Sequence, residues 1–504
     1  MAKRKQSDGH RSAAEGGPDG GLDGAGPETV APDGPLRYDM PFPATAPRLI
    51  NPGVGLVTLV GRLGVGSTYP IDVTLLDAPD HRLLRSGVQL AHRVIGERGE
   101  WYLAASDWAP LLPAERTEPM GSGDLPETLA ALIRPFRRLA PLSPIAGLTC
   151  ERREFEFRDE AGLARAVLRD DKVTVRRAGV TTARYREVTL TPTGAGLTAE
   201  QREWLADTLS GAGGTWVAEF PPLVSRLGAP ATGLTDFPVV EPPSTELPFG
   251  SFAARWLAVR LRALIAADLR LSASADDRTT PVLAAELVTE AARLRDEVEA
   301  LSGVLDTDWI ADLDDELDWV IEADPGPSGR TAAAVSRLRT RLRGERYLSI
   351  LDQLVNAIRA PKVGELSQLP ASQVIGIVID EARADALAVA GELTEDSGPA
   401  AWERASDGLA GYRRALALVE IGPAADPRVR PAERRRVDDA LAACRAVVER
   451  TRQVAAIQDE AASAEPTRAF ELGRRYEREL AELHADRVGF LHRRQKLIKK
   501  VGRS

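Results

Sequence analysis

The side chains best placed to do chemistry in this chain are arginines, which occupy 58 positions against seven lysines, five histidines and two cysteines. A guanidinium presents a planar fork of donors that matches a phosphate or carboxylate edge, so clustered arginines point to an anionic ligand. The densest cluster is C-terminal: Arg434, Arg435 and Arg436, then Arg474 and Arg475, then Arg493, Arg494, Lys496, Lys499 and Lys500. Residues 401–504 hold 22 Lys/Arg against 16 Asp/Glu, a balance of +6, whereas residues 271–400 hold 12 against 25, a balance of −13. A polyanion would be repelled by the earlier region and drawn to the last helices, because its affinity comes from clustered cations that release counterions. A solvated helix face and a frayed terminus are the alternative reading of the same residues.

Other chemistry is thinly represented. His484 and His492 stand two turns apart on one expected helix, but no acid or cysteine completes a ligand set. The acidic run Asp312, Asp314, Asp315, Glu316 and Asp318 lacks the glycine turn and terminal glutamate of a calcium loop, and reads as a helix N-terminal turn with an exposed face. Cys150 and Cys444 are too few for a disulfide framework or a cysteine-based metal site, so a reducing cytoplasm is the expected compartment. The net charge of −9 argues against broad nucleic-acid binding. No apolar run approaches the ~18 residues of a membrane span, and no secretory h-region opens the chain, so no membrane association is expected. The bias to arginine, with abundant Ala and Gly, is that of a GC-rich, actinobacterial-like genome.

The elements that must position these residues fall into four stretches. Residues 1–35 are Gly-, Asp- and Pro-rich and read as a disordered tail, with Lys3-Arg4-Lys5 as its only basic run. Residues 36–226 read as β-rich. Strands are expected over Gly55–Val60, Ile71–Leu76, Val88–Val94, Trp101–Ala104, Val173–Arg177 and Arg184–Thr191, with a hairpin of Glu151–Phe157 and Ala164–Arg169 around Asp159-Glu160-Ala161-Gly162. Helices are expected over Leu125–Leu139 and Thr198–Leu209. Antiparallel strands with polar residues on one face fit a barrel with a hydrophilic interior. Residues 227–250 are Pro-rich and read as a linker. Beyond them, eight long helices are expected: Phe252–Leu271, Pro281–Leu301, Thr307–Glu322, Thr331–Arg359, Ser372–Gly391, Ala400–Val419, Pro431–Ala461 and Thr467–Lys500, a bundle architecture over residues 251–500. The fold class is therefore α+β, an N-terminal antiparallel β-barrel followed by an all-α domain.

Within Leu75–Trp101, the residues Asp77, Asp80, Leu83, Gly87, Leu90, Arg93 and Trp101 resemble the core pattern of the CYTH superfamily, the triphosphate tunnel metalloenzymes. Further on, Leu142–Ala146 with Glu151-Arg152-Arg153, Asp170-Asp171-Lys172-Val173 and Arg186–Thr191 resemble later stretches of that family. The helical half resembles the CHAD module, two four-helix repeats found behind CYTH domains. That resemblance rests on Leu294-Arg295, Val304-Leu305-Asp306 with Trp309, Glu316-Leu317-Asp318-Trp319 and Arg346-Tyr347-Leu348 with Ile350-Leu351. It implies a phosphate-binding tunnel, Mg²⁺ or Mn²⁺ held by alternating carboxylates, and a basic helical module that binds polyphosphate.

The chain departs from both patterns at their chemistry. Ala91 and Ala104 stand where the tunnel family has an arginine and a lysine. No Glu-x-Glu-x-Lys lies between Arg37 and Val60, and the late acidic strand is reduced to Glu187, Thr189 and Thr191. Ala285 and Glu403 stand where the helical module has histidines, and Val288 and Ala292 where it has arginines. What the resemblance leaves is a partial cationic lining of Arg93, Arg153, Arg184 and Arg186, with Glu187 as the remaining candidate for a catalytic carboxylate. The phosphate-binding candidates are thus Arg93, Arg153, Arg186, Arg434, Arg435, Arg436, Lys499 and Lys500, and no metal or other cofactor is expected. The expected function is a degenerate CYTH–CHAD protein that binds or scaffolds without catalysis, its partners a polyphosphate, a phosphorylated small molecule or another protein. The alternative is a working triphosphatase with Mg²⁺ or Mn²⁺ on unmatched acids such as Asp72, Glu97, Glu100 and Glu154.

Overall fold

The structure, a computed structural model, describes residues 34–61, 68–121, 123–274, 278–324, 326, 329, 331–421 and 431–501. The expected tail, with Lys3-Arg4-Lys5, lies outside the described residues up to position 33. In chain order the first elements are β1 (Leu36–Met40), β2 (Thr58–Gly61), β3 (Thr68–Asp77), α1 (Arg82–Arg85), β4 (Gln89–Ile95), β5 (Arg98–Ala104) and β6 (Glu115–Pro119). There follow α2 (Glu127–Arg137), β7 (Ser143–Arg158), β8 (Ala164–Arg177), β9 (Val180–Pro192), α3 (Ala199–Gly211), β10 (Thr215–Trp216) and α4 (Leu223–Leu227). From there the regular elements are helices: α5 (Phe249–Ala273), α6 (Thr280–Ala300), α7 (Thr307–Ile321), α8 (Ala332–Arg343), α9 (Glu345–Arg359), α10 (Ala371–Glu392), α11 (Pro399–Ala417), α12 (Pro431–Ser463) and α13 (Pro466–Val501). The fold is thus an antiparallel sheet of ten strands followed by an all-helical region. Among the described residues no helix is long and apolar enough to cross a membrane.

The chain forms two compact units. One comprises Met1–Tyr69 (its described part), Glu151–Val173 and Arg184–Phe220; the other comprises Pro70–Cys150, Thr174–Ala183 and Pro221–Ser504. In the first, the strand order is β10-β1-β9-β8-β7, with β2 on β7. Its core is Leu36, Tyr38 and Met40 of β1, Phe157, Ala166, Leu168, Val188 and Leu190 of the long strands, and Leu205 and Leu209 of α3. Helix α3 starts where its sequence says it should: Thr198 accepts from the Gln201 amide and Gln201 returns a bond to the Thr198 amide, a reciprocal cap.

In the second unit β3, β4, β5 and β6 pair in that order. One hydrophobic core runs from Trp101, Trp108 and Phe136 through Phe237 to Phe249, Trp256 and the helices beyond. The Pro-rich stretch read as a linker carries Asp236 and Phe237, both buried. Phe237 stacks edge-on against Trp108 and Phe136. Asp236 is bonded to Arg138, Arg359 and Arg85, and Arg138 also reaches Asp352 of α9 at 2.5 Å.

Three sequence readings change. The expected helix Thr331–Arg359 is two helices, because Gly344 takes an extended backbone (ψ 158) between α8 and α9. The expected strand at Gly55–Val60 is shortened to β2, since Pro52–Val54 form a 3-10 turn and Leu56 bridges back to Asn51. The two strands expected at Ala164–Arg169 and Val173–Arg177 are one, β8, joined to β9 through Ala178 and Gly179 at positive φ.

Candidate functional site

The sheet positions three of the six expected phosphate-binding arginines, Arg93, Arg153 and Arg186, and each meets an acid of its own unit. In the first unit Arg186 is almost fully buried and donates from Nε and Nη2 to the two oxygens of Asp170, both at 2.7 Å, while Nη1 reaches the Ala44 carbonyl. Arg152, not a candidate from sequence, makes the same bidentate contact with Asp171 at 2.7 and 2.8 Å. Burial along β8 alternates up to Asp170 and then breaks, so Asp170 and Asp171 are both buried, and Asp171 is also approached by Arg169 at 3.4 Å. Arg153 donates to Glu151 at 2.7 Å. Arg184 lies over the Phe42 ring, 5.8 Å from its centroid.

Glu187 is half-buried and sits directly opposite Asp39 across the β1–β9 ladder. Two carboxylates in register are the start of a cation site, since hard divalent ions need several oxygens. Among the described residues, however, no group of three His, Cys, Asp or Glu is arranged to hold a metal. Of the alternative ligands, Glu154 accepts from the Tyr69 hydroxyl at 3.3 Å, Glu100 is held by Arg93, Asp72 is exposed on β3, and Glu97 is exposed at the β4–β5 turn.

In the second unit Arg93 donates to Glu100 at 2.6 Å across the β4–β5 pair and lies 4.3 Å over the Tyr102 ring. The aspartates of the Leu75–Trp101 motif serve the chain's own turn and its arginines. Asp77 is fully buried and accepts from the amides of Ala78, Leu83 and Leu84, which fixes the first turn of α1. Burial pushes its carboxyl up to about 6, against the lowering effect of those amides. Asp80 holds Arg82 and Arg85. Gly87, at φ +74, closes the turn with Asp107 packed against it, so a side chain there would collide with that carboxylate at 2.5 Å.

The helices of this unit build an arginine-lined cleft of about 480 Å³, with Arg260 from α5, Arg293, Asp296 and Glu297 from α6, Arg413 and Arg414 from α11, and Arg434 from α12. Five guanidinium groups thus face two carboxylates. Glu297 is buried and occupied: it accepts two bonds from Arg260 and one from the Trp256 indole. Arg414 is bonded to Glu299. Arg293 and Arg413 are about half exposed and more loosely held, by Glu290 at 3.8 Å and Asp438 at 3.4 Å. These two have the most freedom to turn toward an anion.

Of the C-terminal candidates, only Arg434 lines this cleft. Arg435 is exposed and Arg436 half-buried on α12, and Lys499 and Lys500 are exposed in the last turn of α13. His484 lies 3.8 Å from Glu395, and His492 is exposed. Sequence reading missed Arg260, on α5, and Arg413 and Arg414, on α11, because they meet the α6 and α12 residues only in the fold; the Arg413-Arg414 doublet was the one local signal.

No protein-family model matches the sequence, and no curated protein matches it. Among solved structures the chain is similar to PptA from Streptomyces chartreusis, with 20% identity and a TM-score of 0.35 over 49% of this chain and 99% of that one. It is also similar to a candidate adenylate cyclase from Bacillus halodurans, with 16% identity and a TM-score of 0.21 over 32% of this chain and 83% of that one. A third is a candidate adenylyl cyclase from Hippeastrum with a dominant triphosphatase activity, at 11% identity and a TM-score of 0.22 over 38% of this chain and 93% of that one.

Proposed function

We propose that this chain is a divergent CYTH–CHAD protein that binds a phosphorylated anion without hydrolysing it. The observation that supports this reading is the use of the sheet's charged residues on one another. Arg186 is committed to Asp170 and Arg152 to Asp171, while Asp77 is committed to the amides of α1. Triphosphate hydrolysis needs cations to neutralise the phosphates and a metal to activate water. Here Arg93, Arg152, Arg153 and Arg186 are each neutralised by a neighbouring carboxylate, and among the described residues no three acids are gathered to hold a metal, Glu187 facing only Asp39 across the ladder. The anion site is the cleft in which the loosely held Arg293 and Arg413 stand beside Arg434, with Arg260 and Arg414 anchored on Glu297 and Glu299, and it suits a polyphosphate segment or a small phosphorylated molecule.

The competing reading, a metal-dependent triphosphatase, draws on the Asp39–Glu187 pair alone. The two are separated by colorimetric phosphate release from tripolyphosphate, ATP and thiamine triphosphate with Mg²⁺ or Mn²⁺, run beside Arg93→Ala and Glu187→Ala. Binding without release supports the first reading. Metal-dependent turnover that is lost in Glu187→Ala supports the second.

A further inference from the structure

On α6, Thr289, Ala292, Arg293, Asp296 and Glu297 recur three and four apart, so they share the face that lines the arginine cleft. Two of these side chains are acceptors with room for a donor. Asp296 is 37% exposed, and among the described residues its one hydrogen bond comes from Arg295 at 3.4 Å. Arg295 is in turn bonded to Asp318. Thr289 gives its hydroxyl proton to the Ala285 carbonyl at 2.7 Å, so toward the cleft its oxygen can only accept. Arg293 stands between these two acceptors along the helix, its ion pair being the loose one with Glu290.

These groups discriminate among anions. A polyphosphate chain presents acceptors and negative charge, so it has no donor to offer Asp296 or Thr289, and the Asp296 carboxylate repels it. A nucleotide brings donors on its ribose, but its base meets no aromatic face, since the uncharged part of the lining is Thr289, Ala292 and Ala417. Trp256, which bonds Glu297, is fully buried. An ammonium group would suit Asp296 by itself, yet here it would stand among five guanidinium groups. A hydroxyl donates to either acceptor and adds no charge.

We propose that the cleft takes a phosphorylated sugar or polyol, its phosphate on Arg293 and Arg413 and its hydroxyls on Asp296 and Thr289. The inference rests on this cleft being the anion site and names the class of anion. Residues three and four apart on a helix have Cβ atoms about 5–6 Å apart, so Thr289 and Asp296 flank Arg293 within the reach of one small ligand. The cleft volume of about 480 Å³ is that of a small-molecule site rather than of a groove for a long polymer.

The test is isothermal titration calorimetry of the full chain without divalent metal. The probes are fructose 1,6-bisphosphate, which carries hydroxyls, and tripolyphosphate, which does not. The native chain should bind both. Asp296→Ala should weaken fructose 1,6-bisphosphate about tenfold, as loss of a hydrogen bond to a charged acceptor does. The same variant should bind tripolyphosphate about fivefold more tightly, because a nearby like charge is gone. Its far-UV circular dichroism should be unchanged, since alanine suits an exposed helix position. Arg293→Glu with Arg413→Glu should weaken both probes at least about tenfold. An Asp296→Ala chain that binds fructose 1,6-bisphosphate as well as the native chain would overturn the proposal and leave the anion cleft standing. So would a native chain that binds tripolyphosphate alone. Binding of neither probe, or binding untouched by the double arginine reversal, would remove the cleft itself and this inference with it.

Discussion

Replacing Asp236 by Asn should destabilise the second unit strongly, and its cost can be worked from the contacts. The side chains of Asp236 and Arg138 are 1% and 2% exposed. Asp236 also bonds Arg359, which is 45% exposed and can return to water, and Arg85, which keeps Asp80. The charge stranded by Asp236→Asn is therefore that of Arg138, still bonded to Asp352 at 2.5 Å. Breaking a buried pair from one side costs about 3–5 kcal/mol, and the surviving Asp352 contact argues for the lower end, about 3 kcal/mol. In a unit this large that lowers the thermal midpoint by on the order of 5 °C. The helical circular dichroism signal is the appropriate probe, since all helices but α3 lie in this unit. Adding Arg138→Met to Asp236→Asn should recover much of the loss by removing the stranded charge, whereas Arg359→Ala alone should cost below about 1 kcal/mol. An unchanged midpoint for Asp236→Asn, or a double variant worse than the sum of its parts, would refute the reasoning.

Asp268 is buried in α5, where burial pushes its carboxyl up to about 6 against the lowering effect of Ser272. A raised carboxyl binds more protons folded than unfolded between about pH 4 and 6, so its contribution falls as pH rises through that window. Asp268→Asn should therefore gain thermal stability relative to the native chain on going from pH 5 to pH 7.5, and a constant difference would count against the assignment. Gly87→Ala should lose about 1–2 kcal/mol in urea denaturation, because the position has φ +74 and Asp107 fills the space. Arg293→Glu with Arg413→Glu should weaken binding of long-chain polyphosphate at least tenfold and flatten its salt dependence, while reversal of Lys499 and Lys500 should matter less; equal effects would remove the cleft from the account.

Much of the fold was legible because local chemistry carries it. Thr198 and Gln201 mark the start of α3, the Asp159–Gly162 turn marks the β7–β8 hairpin, and apolar positions three and four apart mark the helices. The break at Gly344 was not, since the apolar period continues on both sides and a lone glycine is tolerated within a helix. The site was harder to read than the fold. Arg186 looked like a phosphate contact because its type and strand suit one; that Asp170 takes it depends on the pairing of β8 with β9, which brings together residues 16 apart in sequence. Asp236 and Arg138 are 98 residues apart and meet only in the folded core. Likewise Arg293, Arg413 and Arg434 belong to three helices, and no window of sequence contains them together.

The proposed function is that this chain binds phosphorylated anions and leaves them intact. The most direct measurement incubates the purified chain with tripolyphosphate and Mn²⁺ and follows bound ligand and free phosphate in the same sample. The expected result is salt-sensitive binding that falls in Arg293→Glu with Arg413→Glu, with phosphate release no greater than in Glu187→Ala. Metal-dependent release that disappears in Glu187→Ala would contradict it.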